Sequence, residues 1–323
     1  MSSSATIKDL EAQPAWLLLV SFLGFFSLIK ITICILKWVY TTFLRPPKNL
    51  KKYGSWCLIT GATDGIGKAF AHQLALHGLN LVLAGRNPGK LTAVSSEIQA
   101  KFPSTTVKTL VFDFSSEVLV SDGGIKPVVE EAIRGLDVGL LINNVGITYP
   151  SARFFHEVDE KVFMDIVRVN LEATTWVTKA VLPAMLERKT GAIVNIGSGA
   201  SIVVPSHPLY TVYAATKAYI DQLSRSMYVE YKQHGIDVQC QVPLYVATNM
   251  TSRVEKPSLF IPTPEDYAAA AIRQIGYEPR CTPYWTHYLQ WCFACFLPHS
   301  VLDAWRLSIG INRRANLGLV SSS

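Results

Sequence analysis

Residues 61–67 read Gly-Ala-Thr-Asp-Gly-Ile-Gly, set between the apolar run Trp56-Cys-Leu-Ile-Thr60 and a helical pattern from Ile66 to Leu76. Gly61 permits a tight turn, Gly65 lets a ligand approach the backbone, and Gly67 lets helix and strand pack closely. A helix that starts here points its free amides and positive dipole end at the turn, which suits a pyrophosphate. A glycine trio alone is a weak signal, and its context between strand and helix is what makes it specific. The plain alternative is an ordinary glycine-containing turn.

The rest of the chain repeats the alternation. Strands are expected at Leu79–Ala84, Val107–Phe112, Val138–Ile142, Ala192–Ile196 and Ile236–Val242, with a helix around Leu91–Ala100. Largely apolar strands between helices imply a parallel sheet covered on both faces. The expected fold class is therefore α/β, a doubly wound dinucleotide-binding sheet. A chain of 323 residues, 49% apolar, is long enough for one such domain plus appendages.

One appendage is amino-terminal. Residues 15–29 are almost purely apolar, Lys30 interrupts, and Ile31–Leu36 continues. The run matches the roughly 20 residues that cross a bilayer; a helix lying in the interface is the alternative. Lys37, Arg45, Lys48, Lys51 and Lys52 follow it, whereas Lys8, Asp9 and Glu11 before it carry little net charge. That asymmetry puts the following domain in the cytosol, where the acceptor triplet Asn249-Met-Thr251 would be idle. The expected organisation is a tail (1–14), an anchor (15–44), a basic linker (45–52), a catalytic domain (53–280) and a carboxy-terminal apolar segment with its tail (281–323). A net charge of +6 suits an anionic ligand or a membrane surface. Without a dense Lys/Arg stripe it does not call for nucleic acid. Cys292 and Cys295 form a lone CxxC with no second ligand pair nearby, so no metal site is expected.

Two features bear on chemistry. The second strand ends Ala84-Gly-Arg-Asn87, with no carboxylate to bind ribose hydroxyls. Arg86 can pair with a 2′-phosphate, which favours NADP(H). Tyr213 and Lys217 are four apart at the start of a helix running to about Tyr231, so they share a face. A free phenol is a poor acid or base at neutral pH, and a neighbouring ammonium favours its ionised form.

With Thr60-Gly-Ala-Thr-Asp-Gly-Ile-Gly67, Asn143-Asn-Val-Gly146, Asn170, Ile196-Gly-Ser-Gly199 and Tyr213-x-x-x-Lys217, the chain resembles the short-chain dehydrogenase/reductase superfamily over roughly residues 53–275. The resemblance implies a Rossmann-type fold. It gives Ser198 the polarising of a carbonyl, Tyr213 the donation of a proton, Lys217 the ribose contact and the lowering of the tyrosine pKa, and Asn170 a relay water. It places NADP(H) against Gly61, Thr63, Asp64, Gly65, Ile66, Gly67, Arg86, Asp113, Asn143, Tyr213, Lys217, Val246 and Thr248, with Asp113 at the adenine and Asn143 at the floor. For Asn170 a locally satisfied helix residue is the alternative. This chain departs from the family pattern at three places. Val145 replaces an alanine. Asp64 stands where many NADP(H) members are basic. Ser198 lies fifteen residues before Tyr213 rather than about thirteen. An insertion around Pro205-Ser-His-Pro208 reconciles the last, with Ser201 the rival serine.

The anchor, Pro243-Leu-Tyr-Val-Ala-Thr248 and Cys281-Thr-Pro-Tyr-Trp285 are similar to the microsomal very-long-chain 3-oxoacyl-CoA reductases of fatty-acid elongation, particularly those of plants. This implies an acyl-CoA substrate, an endoplasmic-reticulum membrane with the domain facing the cytosol, and possible contacts with other elongation enzymes. The chain ends Leu317-Gly-Leu-Val-Ser-Ser-Ser323, without the lysine-rich tail such reductases often carry. The segment 245–264 is the usual place for a substrate lid. The apolar stretch Tyr284–Leu297 is too short to span a membrane; it either lies on one, lines an acyl channel, or covers the sheet edge. The competing functions are a membrane-bound hydroxysteroid dehydrogenase and a catalytically weak binding subunit.

Overall fold

The computed structural model describes residues 14–116, 124–250 and 256–315. Lys8, Asp9, Glu11, Thr251 of the acceptor triplet, part of the 245–264 segment and Leu317–Ser323 lie outside the described residues. The chain divides into two compact units, Met1–Pro46 and Pro47–Ser323.

The first unit is a helix, α1 (Ala15–Val39), extended by a π-turn at Tyr40–Leu44. Twenty-five residues of helix rise about 37 Å, more than the ~30 Å of a hydrocarbon core. None of its residues is buried, and an 18-residue stretch of it and the turn that follows has a mean hydropathy of 2.3. By length and composition it can cross a membrane.

The second unit is built on seven parallel strands in the order β3-β2-β1-β4-β5-β6-β7. They are β1 (Trp56–Thr60), β2 (Asn80–Gly85), β3 (Val107–Val111), β4 (Val138–Asn143), β5 (Gly191–Ile196), β6 (Ile236–Gln241) and β7 (Arg280–Cys281). Strand side chains alternate between two apolar layers, as the pleat requires. Cys57, Ile59, Leu81, Leu83, Leu140 and Ile142 pack on one face with α2 (Gly65–Leu76), α3 (Pro88–Lys101) and α9 (Pro264–Ile272). Leu58, Val82, Val138, Leu141 and Ile193 point the other way. They meet α4 (Ile125–Ile133), α6 (Ala173–Arg188) and the end of α8 (Thr211–Tyr231). The helix α5 (Glu160–Val167) and the single turn α7 (Gly199–Ile202) complete the frame. The winding direction reverses between β1 and β4, so their carboxyl ends open a crevice there.

The expected strands stand within about a residue of their sequence positions, while the helix expected around Leu91–Ala100 starts three residues earlier, at Pro88. β7 is the strand that the sequence did not announce: two residues, one of them Arg280, carry no periodic signal. Helices α10 (Trp285–Cys295) and α11 (His299–Ala315) belong to the same unit as the sheet. Leu302 is buried, and Arg314 pairs with Glu157. Of the basic residues after α1, Lys48 is committed to structure: its Nζ lies 2.9 Å from Asp237.

One irregularity in the sheet has a clear physical cause. Trp56 aligns with Val138 and Cys57 with Leu140, so Gly139 is an extra residue in β4. A Cβ there would lie 2.1 Å from the carbonyl carbon of Tyr53. Backbone cannot yield as a flexible side chain would. Gly139→Ala should therefore cost about 3 kcal/mol, read as a lower urea midpoint with an unchanged slope.

Candidate active site

The crevice is a cleft of about 1740 Å³. At one end lies the glycine turn. Gly65 has φ 51°, and a Cβ on Gly67 would lie 2.3 Å from the Gly61 carbonyl oxygen. Asp64 caps α2, its Oδ1 accepting from Gly65 N at 2.7 Å and its Oδ2 accepting from Asn249 Nδ2. A cap therefore occupies the position where a basic residue would face the phosphates. Asn144 stitches the two strand ends together. Its Nδ2 donates to the carbonyls of Thr60 at 3.0 Å and Gly61 at 3.1 Å, and its backbone N–H donates to Thr60 Oγ1 at 3.0 Å. Val246 and Thr248 close over the turn, Thr248 Cγ2 standing 3.1 Å from where a Gly65 Cβ would be.

Of the residues the sequence singled out, Gly61, Thr63, Asp64, Gly65, Ile66, Arg86, Asp113, Ser198, Tyr213, Lys217, Val246 and Thr248 line this cleft. Three do not. Gly67 lies under the turn, where it serves packing. Asn143 points into the sheet, its Nδ2 donating to Thr178 Oγ1 at 2.9 Å and Asn195 Oδ1 at 2.8 Å. Adjacent strand residues face opposite ways, so Asn144 takes the place at the floor expected of Asn143. Asn170 is buried in a π-turn, Arg168–Glu172. Its Oδ1 accepts from Ile147 N at 2.8 Å, and its Nδ2 donates to Ile147 O at 2.9 Å and Thr216 Oγ1 at 3.1 Å. The side chain ties the strand-end loop to α8, and any relay water would have to use its backbone.

Past β2 the cleft wall carries Arg86 and Lys90 and no carboxylate on that turn. The Asp113 carboxyl is held below its ordinary value by the backbone N–H and hydroxyl of Ser115 and by Arg86, against the effect of burial. Open backbone at a helix start suits a pyrophosphate, and Arg86 with Lys90 suits an additional phosphate. The residues present therefore fit a dinucleotide of the phosphorylated kind.

Ser198 ends the loop after β5, its Oγ accepting from Ala200 N at 3.1 Å while it also hydrogen-bonds Tyr213. Ser201 turns away and donates to the Ser198 carbonyl at 3.2 Å, so Ser198 is the serine beside the tyrosine. Burial raises the Tyr213 phenol above its usual range, the Ser198 bond opposing and Tyr245 adding to the rise. Tyr213 is accordingly a protonated acid at neutral pH. The lysine does not lower it here, because Lys217 donates instead to the Ile196 carbonyl at 2.8 Å. Burial brings the Lys217 amine itself down to about 8.

This arrangement of glycine turn, serine, tyrosine and lysine coincides with a match of residues 55–258 to the short chain dehydrogenase family model. The chain belongs to the short-chain dehydrogenase family. It is 59% identical to a very-long-chain 3-oxoacyl-CoA reductase-like protein of Arabidopsis thaliana, over 94% of this chain and 97% of that protein. It is 41% identical to inactive hydroxysteroid dehydrogenase-like protein 1 of Homo sapiens, over 77% of this chain and 74% of that one. Among solved structures, a short-chain dehydrogenase from Sphingobium yanoikuyae in complex with NADPH aligns at 26% identity with a TM-score of 0.62. The alignment covers 83% of this chain and 97% of the other.

The far half of this dehydrogenase's cleft is backed and lined by groups whose roles the sequence did not announce. His287 is fully buried, accepting from Leu244 N at Nδ1 (3.3 Å) and donating from Nε2 to the Tyr245 carbonyl (3.0 Å). Burial holds it near 4, hence neutral, and it fixes the loop after β6. Tyr245, Arg306 and Arg313 meet across the cleft wall. Tyr245 is more than sixty positions from either arginine in sequence, beyond the reach of any local pattern.

Lys217 generates a pH prediction. Its native pKa of about 8 lies below the unfolded 10.5. Below pH 8 both states are protonated and the cost of the buried charge is fully present. Between about 8 and 10.5 the unfolded chain binds the extra proton, so stability rises with pH. Lys217→Met removes a penalty of about 3 kcal/mol and one hydrogen bond worth about 1. At pH 7 the variant should be more stable than wild type by about 2 kcal/mol and inactive. Urea melts from pH 7 to 10 should show that gap closing.

Proposed function

We propose that the protein uses NADPH to reduce long-chain 3-oxoacyl-CoA to 3-hydroxyacyl-CoA, as a step of fatty-acid elongation at the endoplasmic-reticulum membrane. The observation that carries this reading is the cleft's polarity along its length. Phosphate-binding groups lie at one end, Ser198, Tyr213 and Lys217 lie at the centre, and Phe260, Leu289, Phe293, Leu297 and Trp305 wall the other side. The similarity to the Arabidopsis protein supports the substrate class.

Bound NADPH would supply the hydride. Ser198 holds the 3-oxo oxygen beside Tyr213, and the Tyr213 phenol gives that oxygen its proton. Lys217, titrating near working pH, can return a proton to the tyrosine and contact the ribose. Asn170 keeps Ile147 and α8 in register around them, with a relay water at its backbone. In this proposal α1 anchors the chain and the catalytic unit faces the cytosol, within reach of other elongation enzymes. The silent-subunit reading is favoured by the relative named inactive. Against it stands the intact set of serine, tyrosine and lysine in one cleft. A hydroxysteroid would use the same groups.

The deciding experiment is the specificity constant for 3-oxoacyl-CoAs of increasing length, set beside a ketosteroid. Each added methylene should contribute about 0.8 kcal/mol until the wall is covered, a threefold to fourfold gain per carbon. A ketosteroid preference or a flat series refutes the acyl reading. Arg86→Ala should weaken NADPH binding roughly tenfold to a hundredfold while leaving NADH binding nearly unchanged, as read by nucleotide fluorescence. Equal losses for both nucleotides would remove the 2′-phosphate contact.

A further inference from the structure

Helix α11 turns two guanidiniums into the cleft wall. Arg306 and Arg313 are seven residues apart, hence on one face and separated by about 10 Å along the axis. Arg306 is 6% exposed, and its Nε has no hydrogen-bond partner. Gly310 between them lets the helix approach, since a Cβ there would lie 2.7 Å from Leu209 Cδ1. The two arginines converge on one hydroxyl: Arg306 NH1 lies 3.4 Å and Arg313 NH2 3.2 Å from Tyr245 OH. Arg306 also meets His207 and the Trp305 ring, and Arg313 also hydrogen-bonds Tyr210; burial and the two arginines push His207 down to about 3, so it stays neutral.

Among the described residues no carboxylate forms an ion pair with either arginine. The next residue, Arg314, shows the usual solution by pairing with Glu157. Burying a charge without a counter-ion is costly. Arg306 is buried in this way and Arg313 is half-buried beside it, and two cations held where a ligand must pass point to a ligand that brings the anion. They stand across Tyr213 from Arg86 and Lys90, so the nucleotide's added phosphate is already provided for at the other end.

We propose that Arg306, Arg313 and Tyr245 form a subsite for a phosphate group of the substrate's coenzyme A carrier. The proposal rests on the acyl-CoA reading above. An acyl chain and a steroid are both uncharged near a reacting ketone, whereas the carrier's phosphates are anionic. A planar guanidinium fork matches phosphate oxygens in pairs, and the Tyr245 hydroxyl stands between them, its pKa pulled down against the effect of burial by the two arginines.

The test uses the full chain in detergent, saturated with NADPH. Coenzyme A itself is the calorimetric probe. Arg313→Gln should weaken its binding roughly tenfold to a hundredfold and leave NADPH affinity alone, and Arg313→Lys should recover part of the loss. In kinetics, Arg313→Gln should lower kcat/KM for a 3-oxoacyl-CoA, through KM, at least tenfold more than for the same acyl chain on N-acetylcysteamine, which has no phosphate. Tyr245→Phe provides a second variant should Arg313→Gln not fold, and it should shift the two thioesters in the same unequal way. Equal losses on both thioesters, or no coenzyme A binding by the wild type, overturns the subsite. If wild type binds coenzyme A, Arg313→Gln does not, and no 3-oxoacyl-CoA is reduced, the subsite stands and the reductase reading falls. If both proteins reduce 3-oxoacyl-CoA equally well, the reverse holds.

Discussion

Lys217 carries an amine into a site that is 6% exposed, where the Ile196 carbonyl, 2.8 Å away, accepts its hydrogen bond. That carbonyl is free because β5 ends there, so the sheet's edge supplies what the lysine needs. The helix must then be held at a fixed height against β5. Asn170 does this from one side by linking Thr216 to the Ile147 backbone. Ser198 is set from the other by the turn that follows Ile196. A group that costs stability thus sits inside a frame of buried hydrogen bonds that offsets it, a common arrangement at functional sites.

The same logic recurs at the other end of α8 and beyond it. Asn143, Thr178, Asn195 and Ser224 form a buried chain of hydrogen bonds through the centre of the sheet. Such a network specifies one register, since a slip would leave polar groups unpaired in an apolar layer. It is structural, and it frees Asn144 to fasten β1 to β4 where the cleft opens. Two adjacent asparagines therefore do different work because the pleat sends them to opposite faces.

The half of the cleft beyond Tyr213 is built differently. His287 and Tyr245 belong to the loop after β6 and helix α10, and Arg306 and Arg313 to α11. These elements also expose apolar side chains, with Phe293 67% and Trp305 53% accessible. The wall is consequently apolar over much of its length and cationic at one place.

The sequence by itself determined the parts that depend on local pattern. Glycine spacing, strand and helix periods and a tyrosine four residues before a lysine are set by neighbouring residues, so the doubly wound sheet, the apolar amino-terminal helix and the Tyr213–Lys217 pair were legible. The position of Ser198 at the end of a strand was legible too, and the fold sets it beside Tyr213. Tertiary structure decided the rest. It turned Asn143 inward and Asn144 outward, and it gave Asn170's side chain to the Ile147 backbone. It also left Tyr213 protonated, because low dielectric around the ring outweighs what the spacing to Lys217 suggested. It brought α11 back over the cleft, so that Arg306 and Arg313 met Tyr245. Burial and long-range proximity are properties of the packed chain, and no stretch of residues read on its own carries them.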